Sequence, residues 1–363
     1  MIKILHIGLS SNKGGIENFV KNLMTCLPDD IKFDFVNVEN TPLAYEEYFR
    51  KKGSVIYQIC PRKKNPIRSR RDLERIILSG KYDYVHHHIM SLSWMEPTLI
   101  ACNNNVKAIL HSHTNIEGNL NLKYKFLHFV GTQQIKNKKI YRLSCSEQAG
   151  KAMFSSTDFN IIENGIDFSK FKFNQNFRNE IRKIYSLSEE EIVIGHVGRV
   201  SVAKNYPFLI KSFSQLINEY KNLRLMLVGN VQNDEKIKKL IRQNNIENYV
   251  IFVGSTDDMN KYYSAMDLFY FPSLYEGLSV SLIEAQSAGL PCIVSKNVSI
   301  ENAVTDLVKF VDIDEISDAV LILKSTIDRY LQVDRENVKI PIKYDINFSC
   351  NKLCDFYRSH EEE

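Results

Sequence analysis

Short apolar runs and amphipathic stretches alternate along this chain almost from end to end. In the first half, the β-branched and aromatic runs Ile2–Ile7, Phe33–Val38, Val55–Ile59, Tyr82–His87, Ala108–His111 and Ile140–Ser144 predict strands. Between the first two, Ile16, Phe19, Val20, Leu23, Met24 and Leu27 recur at helical spacing. Repetition of strand and helix in this manner predicts parallel sheets covered on both faces. The alternation breaks at Asn164-Gly165-Ile166-Asp167, which reads as a turn, and a polar, aromatic-dotted stretch follows to about Ser188. It restarts with strands at Ile192–Val197, Leu223–Val228, Tyr249–Val253, Leu268–Phe271 and Cys292–Ser295, separated by helices at Tyr206–Tyr220, Asp234–Asn244, Asp258–Ala265 and Ser279–Ser287. Two α/β, doubly wound units are expected, 1–165 and 170–340, with a C-terminal helix at about 345–363 packing back on the first. Open α/β sheets bind ligands beyond the carboxyl ends of their strands, so two such units are expected to share a cleft with the chemistry at strand ends.

The 363 residues, 44% hydrophobic and 25% charged, supply a core for each unit and exclude disorder. Apolar runs such as Leu225–Val228 are far shorter than the roughly 20 residues that span a bilayer. The first residues carry only Lys3 and a short apolar run without a cleavage site, so a cytoplasmic chain is expected. Seven scattered cysteines without a Cys-x-x-Cys pair are expected to be free thiols.

A net charge of +4 conceals an asymmetry: residues 1–165 carry 23 Lys+Arg against 15 Asp+Glu, and the remainder is acidic. Arg62, Lys63, Lys64, Arg68, Arg70 and Arg71 crowd one segment, and residues 118–142 hold six bases, Lys123 among them, and no acid. Each cluster is either a solvated face or a surface for phosphate-rich partners. No nucleic-acid recognition motif accompanies them.

Candidate chemistry gathers after predicted strands. Gly14 and Gly15 precede a helix start, where backbone amides favour an anion, although a tight strand-to-helix turn explains them equally. Gly198-Arg199, followed by Lys204-Asn205, places two cations where they can converge on a diphosphate. In the segment 271–291, Glu276 precedes a helix and Glu284 lies about one turn inside it. The amides of Gly277, Leu278 and Ser279 lie between them, a pattern suited to a phosphorylated, polyhydroxylated ligand. Glu284 also fits a capping box with Ser281. His86-His87-His88 and His111-Ser112-His113 fall at strand ends. Zinc ligation is the alternative there, but the remaining His6, His128, His196 and His360 offer no completing set, so a neutral imidazole bonded to a substrate hydroxyl is expected and no metal site is assigned.

Taken in order, these motifs, with His111-Ser112-His113-Thr114-Asn115, Ser144-Cys145-Ser146-Glu147 and the turn at Asn164, resemble family 4 of the retaining glycosyltransferases, of the capsular and exopolysaccharide type. The resemblance spans about residues 2–315. It implies a GT-B fold, two Rossmann-like domains facing a central cleft, and transfer of a hexose from a nucleotide-diphosphate donor, a UDP-sugar, to a saccharide or polyprenyl-diphosphate-linked acceptor. It implies that Arg199 and Lys204 neutralise the diphosphate, Glu276 orients the donor sugar and Glu284 holds the ribose. Gly14, Gly15, Gly277, Leu278 and Ser279 would supply backbone contacts. His111 is the first choice for the histidine near the sugar and His113 the second. No cofactor is implied, since the two cations replace a metal at the leaving group, and the basic segment at 62–71 becomes a contact for the acceptor or for the inner face of the plasma membrane. The readings left open are a sugar-nucleotide 2-epimerase of the same fold and a non-catalytic partner subunit.

Overall fold

The computed structural model describes residues 1–114, 122–329 and 333–360, the side chains of 122–124 apart. Asn115 and the last three residues of the expected C-terminal helix lie outside the described residues, as does the side chain of Lys123. The chain divides into two compact units, Met1–Gly165 with Lys343–Glu363, and Ile166–Ile342.

In the first unit seven strands form one sheet: β1 (Ile2–Ile7), β2 (Ile31–Asn37), β3 (Ile56–Gln58), β4 (Tyr84–Ile89), β5 (Lys107–Ser112), β6 (Ile140–Ser144) and β7 (Asn160–Ile161). Their order is β3-β2-β1-β4-β5-β6-β7 and every pairing is parallel. The second unit repeats the plan with β8 (Ile192–Val197), β9 (Leu223–Val228), β10 (Val250–Gly254), β11 (Leu268–Phe271), β12 (Cys292–Ser295) and β13 (Val308–Val311), ordered β10-β9-β8-β11-β12-β13 and again parallel throughout. In each sheet the order reverses between two central strands, β1/β4 and β8/β11, which is where doubly wound folds place their ligands. Strands such as Leu223–Val228 are apolar almost throughout because helices cover both of their faces.

Three features differ from the sequence reading. The stretch after Asp167 contains the helix Gln175–Ile184, capped by the Asn174 side chain on the Phe177 amide and burying Ile181 and Arg182. β4 runs to Ile89, so the histidine run lies within a strand and divides between the two sides of the sheet. The short strands β7 and β13 carry too few apolar positions to stand out locally.

The C-terminal helix Ile346–Ser359 belongs to the first unit. Its Cys350, Leu353, Cys354, Phe356 and Tyr357 join the core of Phe19, Phe33 and Phe35, and Lys352 pairs with Glu163 at 3.1 Å. All seven cysteines are free thiols. Among the described residues no helix is long and apolar enough to cross a membrane.

Candidate active site

In the second unit the loops leaving β8 and β11 meet over the point of strand-order reversal. The amide of Leu274 donates to Ala203 O at 2.7 Å, and Asn205 Nδ2 to Pro272 O at 3.2 Å. Asn205 takes the left-handed conformation, φ 50°, that ends a single 3₁₀ turn and starts the helix Tyr206–Leu216. That turn carries Lys204 toward β11. Its Nζ lies 2.8 Å from Glu276 Oε1 and 4.2 Å from the centre of the Phe271 ring. Gly198 leaves room for this side chain, since a Cβ there would come within 2.8 Å of the Lys204 stem. Arg199 is exposed and has no ion pair or hydrogen bond among the described residues. The structure thus joins Lys204 and Glu276 and leaves Arg199 open beside the same loop.

The Lys204–Glu276 contact is short, yet Glu276 Oε1 is oriented as an ion-pair partner rather than a hydrogen-bond acceptor. Both side chains are mostly buried, so the pairing compensates two costly charges.

Glu276 precedes the helix Val280–Ser287, whose N-cap is Ser279. The capping box between Ser281 and Glu284 does not form, because Ser281 is already inside the helix. Glu284 is buried, and its Oε2 accepts from the Tyr263 hydroxyl at 3.0 Å, which also reaches Ser281 O at 3.1 Å. The expectation that the Ser279 amide faces a ligand is corrected: it donates to Asn302 Oδ1 at 2.7 Å. Asn302 Nδ2 donates to Gly277 O at 2.9 Å, and the backbone carbonyl of Asn302 accepts from Gln286 Nε2 at 2.8 Å. Gln286 Oε1 in turn accepts from the amides of Val304 and Thr305. Asn302 and Gln286 are wholly enclosed, and with Tyr263 they set the loop 277–279 and Glu284. Sequence reading missed all three. An amide 25 residues downstream in a short polar segment carries no local signal, and Gln286 looked like any helical glutamine.

Asn302→Ala removes the side-chain bonds to Ser279, Gly277 and Ser299 at once, so it is expected to lower stability by about 1–3 kcal/mol for the groups left unpaired. It is also expected to raise the KM for donor more than it lowers kcat, as checked by urea titration and steady-state kinetics.

In the first unit Gly14 is the N-cap of the helix Gly15–Leu23. A Cβ on Gly15 would meet nothing within 4 Å, so backbone geometry does not demand glycine there and the space beside it is open. The preceding loop is closed by carboxylates: Glu17 Oε1 accepts from the amide and hydroxyl of Ser10, and Glu39 Oε2 from the Ser11 amide. Gly8, at φ 109°, is needed where β1 passes β4, since a Cβ would fall 2.2 Å from His88 O. Ser146 and Asp167, members of the sequence motifs, are helix N-caps.

Five histidines converge on one side of this sheet, and the conclusion that His6 completes no set is corrected. Register places His6 opposite His86, and His88 opposite His111. His6 Nδ1 bonds His88 Nε2 at 2.9 Å, and His88 Nδ1 bonds His113 Nε2 at 2.9 Å. His86 Nε2 bonds His111 Nδ1 at 3.0 Å, and its Nδ1 bonds the Tyr357 hydroxyl at 2.6 Å. His87, on the other side, bonds Thr98. Loss of hydration pushes His6, His87 and His113 down to about 3 and holds His86, His88 and His111 well below the usual imidazole value. His111 is fully enclosed with Phe19 edge-on to it, whereas His113 keeps part of its surface open. Of the two, His113 is the nearer to solvent.

Arg62, Lys63, Lys64, Arg68, Arg70 and Arg71 are all exposed around the start of the helix Pro66–Ser79. Ile67 beside them is 66% exposed.

Two parallel doubly wound units, with a cation pair and a carboxylate at the switch point of the second, define the class: a GT-B glycosyltransferase. The sequence comparisons agree. The family model described as "Glycosyl transferases group 1" matches residues 177–328, and that described as "Glycosyltransferase Family 4" matches residues 13–170. The chain belongs to family 4 of the glycosyltransferases and is a hexosyltransferase-type enzyme. The family matches favour a glycosyltransferase over the epimerase. It is 29% identical to the putative glycosyltransferase EpsF of Bacillus subtilis (strain 168), over 82% of this chain and 80% of that one. It is 25% identical to the UDP-Gal:alpha-D-GlcNAc-diphosphoundecaprenol alpha-1,3-galactosyltransferase of Escherichia coli, over 98% and 96%. Its fold is similar to that of Anabaena Alr3699/HepE, solved in complex with UDP-glucose, with TM-score 0.84 at 15% identity, covering 99% of this chain and 100% of that one.

Proposed function

We propose that the enzyme transfers a hexose from a UDP-sugar, with retention of anomeric configuration, to a polyprenyl-diphosphate-linked saccharide in surface polysaccharide synthesis. The observation that carries this reading is the Lys204–Glu276 pair beside the exposed Arg199. Without donor, the lysine and the carboxylate neutralise each other. When a diphosphate arrives, Lys204 exchanges Glu276 for phosphate, and the carboxylate becomes available to accept hydrogen bonds from sugar hydroxyls. A UDP-sugar and a lipid-linked acceptor are supported by the Escherichia coli enzyme, named for a UDP-galactose donor and a diphosphoundecaprenol-linked acceptor, and by the Anabaena protein, solved with UDP-glucose.

Breaking the anomeric C–O bond leaves positive charge on the sugar and adds a negative charge to the β-phosphate of UDP. Cations held at the departing oxygen therefore lower the barrier most. Lys204 and Arg199 fill that role, and no metal cofactor is invoked. Glu284, fixed by Tyr263, accepts from the ribose hydroxyls. In front-face attack the acceptor hydroxyl passes its proton to the leaving phosphate oxygen, so no enzymic nucleophile is required. The test is a panel of UDP-sugars with a polyprenyl-diphosphate-linked acceptor, reading released UDP and the anomeric coupling of the product. Turnover with inversion, or without any UDP-sugar, would overturn the reading.

A lipid-linked acceptor requires that the enzyme reach the inner membrane face. The exposed bases at 62–71 flank Ile67, and a second surface on the helix Leu122–Ile135 exposes Phe126 and Phe129. Each Lys or Arg near an anionic surface contributes about 1 kcal/mol. Sedimentation with phosphatidylglycerol vesicles is expected to carry the enzyme down at low salt and release it at high salt. Equal partitioning onto neutral vesicles would remove the electrostatic attachment.

A further inference from the structure

We propose that His88, His111 and His113 form a binding site for a borderline divalent transition-metal ion, zinc(II) foremost, within the first unit. One nitrogen from each ring lies within 4.8 Å of the others. Tetrahedral zinc with Zn–N near 2.0–2.1 Å needs nitrogens about 3.3 Å apart. His88 Nδ1 and His113 Nε2 are 2.9 Å apart and all three ligand atoms lie within 4.8 Å of one another, so ring displacements of at most about 1.5 Å bring them to the spacing the ion needs.

Proton counting shows why the metal-free cluster is incomplete. His6, His88 and His113 are three neutral rings joined by two hydrogen bonds. They carry three ring protons, and only two lie in those bonds. The third must sit on His6 Nε2 or on His113 Nδ1, both buried with no partner among the described residues. Either tautomer leaves one buried N–H and one buried lone pair unpaired, which is costly. His111 Nε2 is a third buried nitrogen with no partner among the described residues, its Nδ1 being bonded to His86.

A metal ion taking the lone pairs of His88 Nδ1, His113 Nε2 and His111 Nε2 gives the otherwise unpartnered His111 Nε2 a bond and fixes the remaining protons, with the N–H groups of His6 Nε2 and His113 Nδ1 still lacking a protein partner among the described residues. His88 then donates from Nε2 to His6, His111 donates from Nδ1 to His86, and His86 donates from Nδ1 to Tyr357. Metal-bound imidazoles characteristically give their second N–H to such a partner. The other triad, His6, His86 and His88, supplies these supporting rings. A nitrogen-only set, with no carboxylate bonded to it among the described residues, selects zinc, nickel or copper over magnesium, calcium or manganese. Burial keeps all three rings unprotonated at neutral pH, so no acid proton has to leave. Three protein ligands leave a fourth position for water or an anion, which offsets part of the ionic charge, and the partly open His113 gives the side of entry.

The test uses the full chain, freed of metal with a chelator that is then removed, and zinc sulfate as the probe. Calorimetry and metal content after equilibrium dialysis are expected to give one zinc per chain, with a raised Tm. His113→Ala should weaken binding about tenfold or more, while His128→Ala leaves it unchanged. Cobalt(II) bound to the wild-type chain should show visible absorption of a four-coordinate nitrogen and oxygen site without a thiolate charge-transfer band, a reading that does not depend on any variant folding. Substoichiometric zinc, unaltered affinity in folded His113→Ala, or a thiolate band that places the ion on cysteines would each overturn the site. Binding is read without donor or acceptor, so failure here leaves the transfer reaction standing.

Discussion

Glu276→Ala and Lys204→Ala are each expected to lower kcat by about 10²–10³-fold with the preferred UDP-sugar, the scale lost when one preorganised electrostatic group is removed from a developing charge. The two losses have different origins. Without Lys204, the departing diphosphate keeps Arg199 alone, and the defect grows with leaving-group charge. Without Glu276, Lys204 is permanently free for phosphate, so nucleotide affinity is expected to hold or rise while the sugar loses its orienting carboxylate. UDP binding by calorimetry therefore separates the variants, weakened in Lys204→Ala and retained in Glu276→Ala. Because Lys204 and Glu276 lie 2.8 Å apart and largely buried, each single variant strands a charge, and the double variant is expected to be more stable than the sum of the singles predicts. Circular dichroism and a urea midpoint must accompany the kinetics. Near-normal turnover in either folded variant would remove this pair from the mechanism.

The legibility of this site in the sequence was uneven, for physical reasons. Arg199, Lys204 and Glu276 could be read because strand ends are marked by local signals: an apolar run stops, a Gly or Pro follows, and a helix begins. The β8 and β11 loops then meet because their strands are neighbours in the sheet. What could not be read is the layer behind those residues. Tyr263 reaches Glu284 across 21 positions, and Asn302 reaches Ser279 across 23. Such bonds exist only once the sheet has closed. The histidines make the same case within one strand. A run of three reads as a cluster at a strand end, but strand alternation sends His86 and His88 to one side and His87 to the other. The fifth ring of the cluster, His6, comes from the first strand, 80 residues earlier than its register partner His86. The helix Gln175–Ile184 was hidden for a further reason: the residue that anchors it, Arg182, is a buried cation in a segment whose composition resembles a linker.

That buried arginine sets the second large effect. Asp267→Ala is expected to destabilise the second unit by about 3–5 kcal/mol, the cost of leaving buried charge without its partner. Asp267 Oδ1 lies 2.8 Å from Arg178 Nη2, and Oδ2 lies 3.3 Å from Arg182 Nη1 while also accepting the Val193 amide at 2.8 Å. Arg182 is 1% exposed and has few alternatives: Nη2 donates to the backbone carbonyls of Ser188 and Glu191, Nη1 also reaches Ala265 O, and Nε has no partner among the described residues. Arg335 stands nearby, its guanidinium pushed down to about 9 by burial and partly held up by the Asp267 charge, so one carboxylate serves three arginines. A domain holds only about 5–15 kcal/mol in all, and the variant is expected to bring this one close to unfolding at ordinary temperature. Asp267→Asn keeps the volume and an acceptor for Val193 but not the charge, and should fall between wild type and alanine if charge compensation dominates. The consequence reaches the active site directly, since β11 begins at the next residue and ends five positions before Glu276. Urea unfolding followed by tryptophan-independent circular dichroism, with UDP binding measured alongside, reads both losses together. An unchanged midpoint in Asp267→Ala would show that Arg178 and Arg182 are held by carbonyls alone.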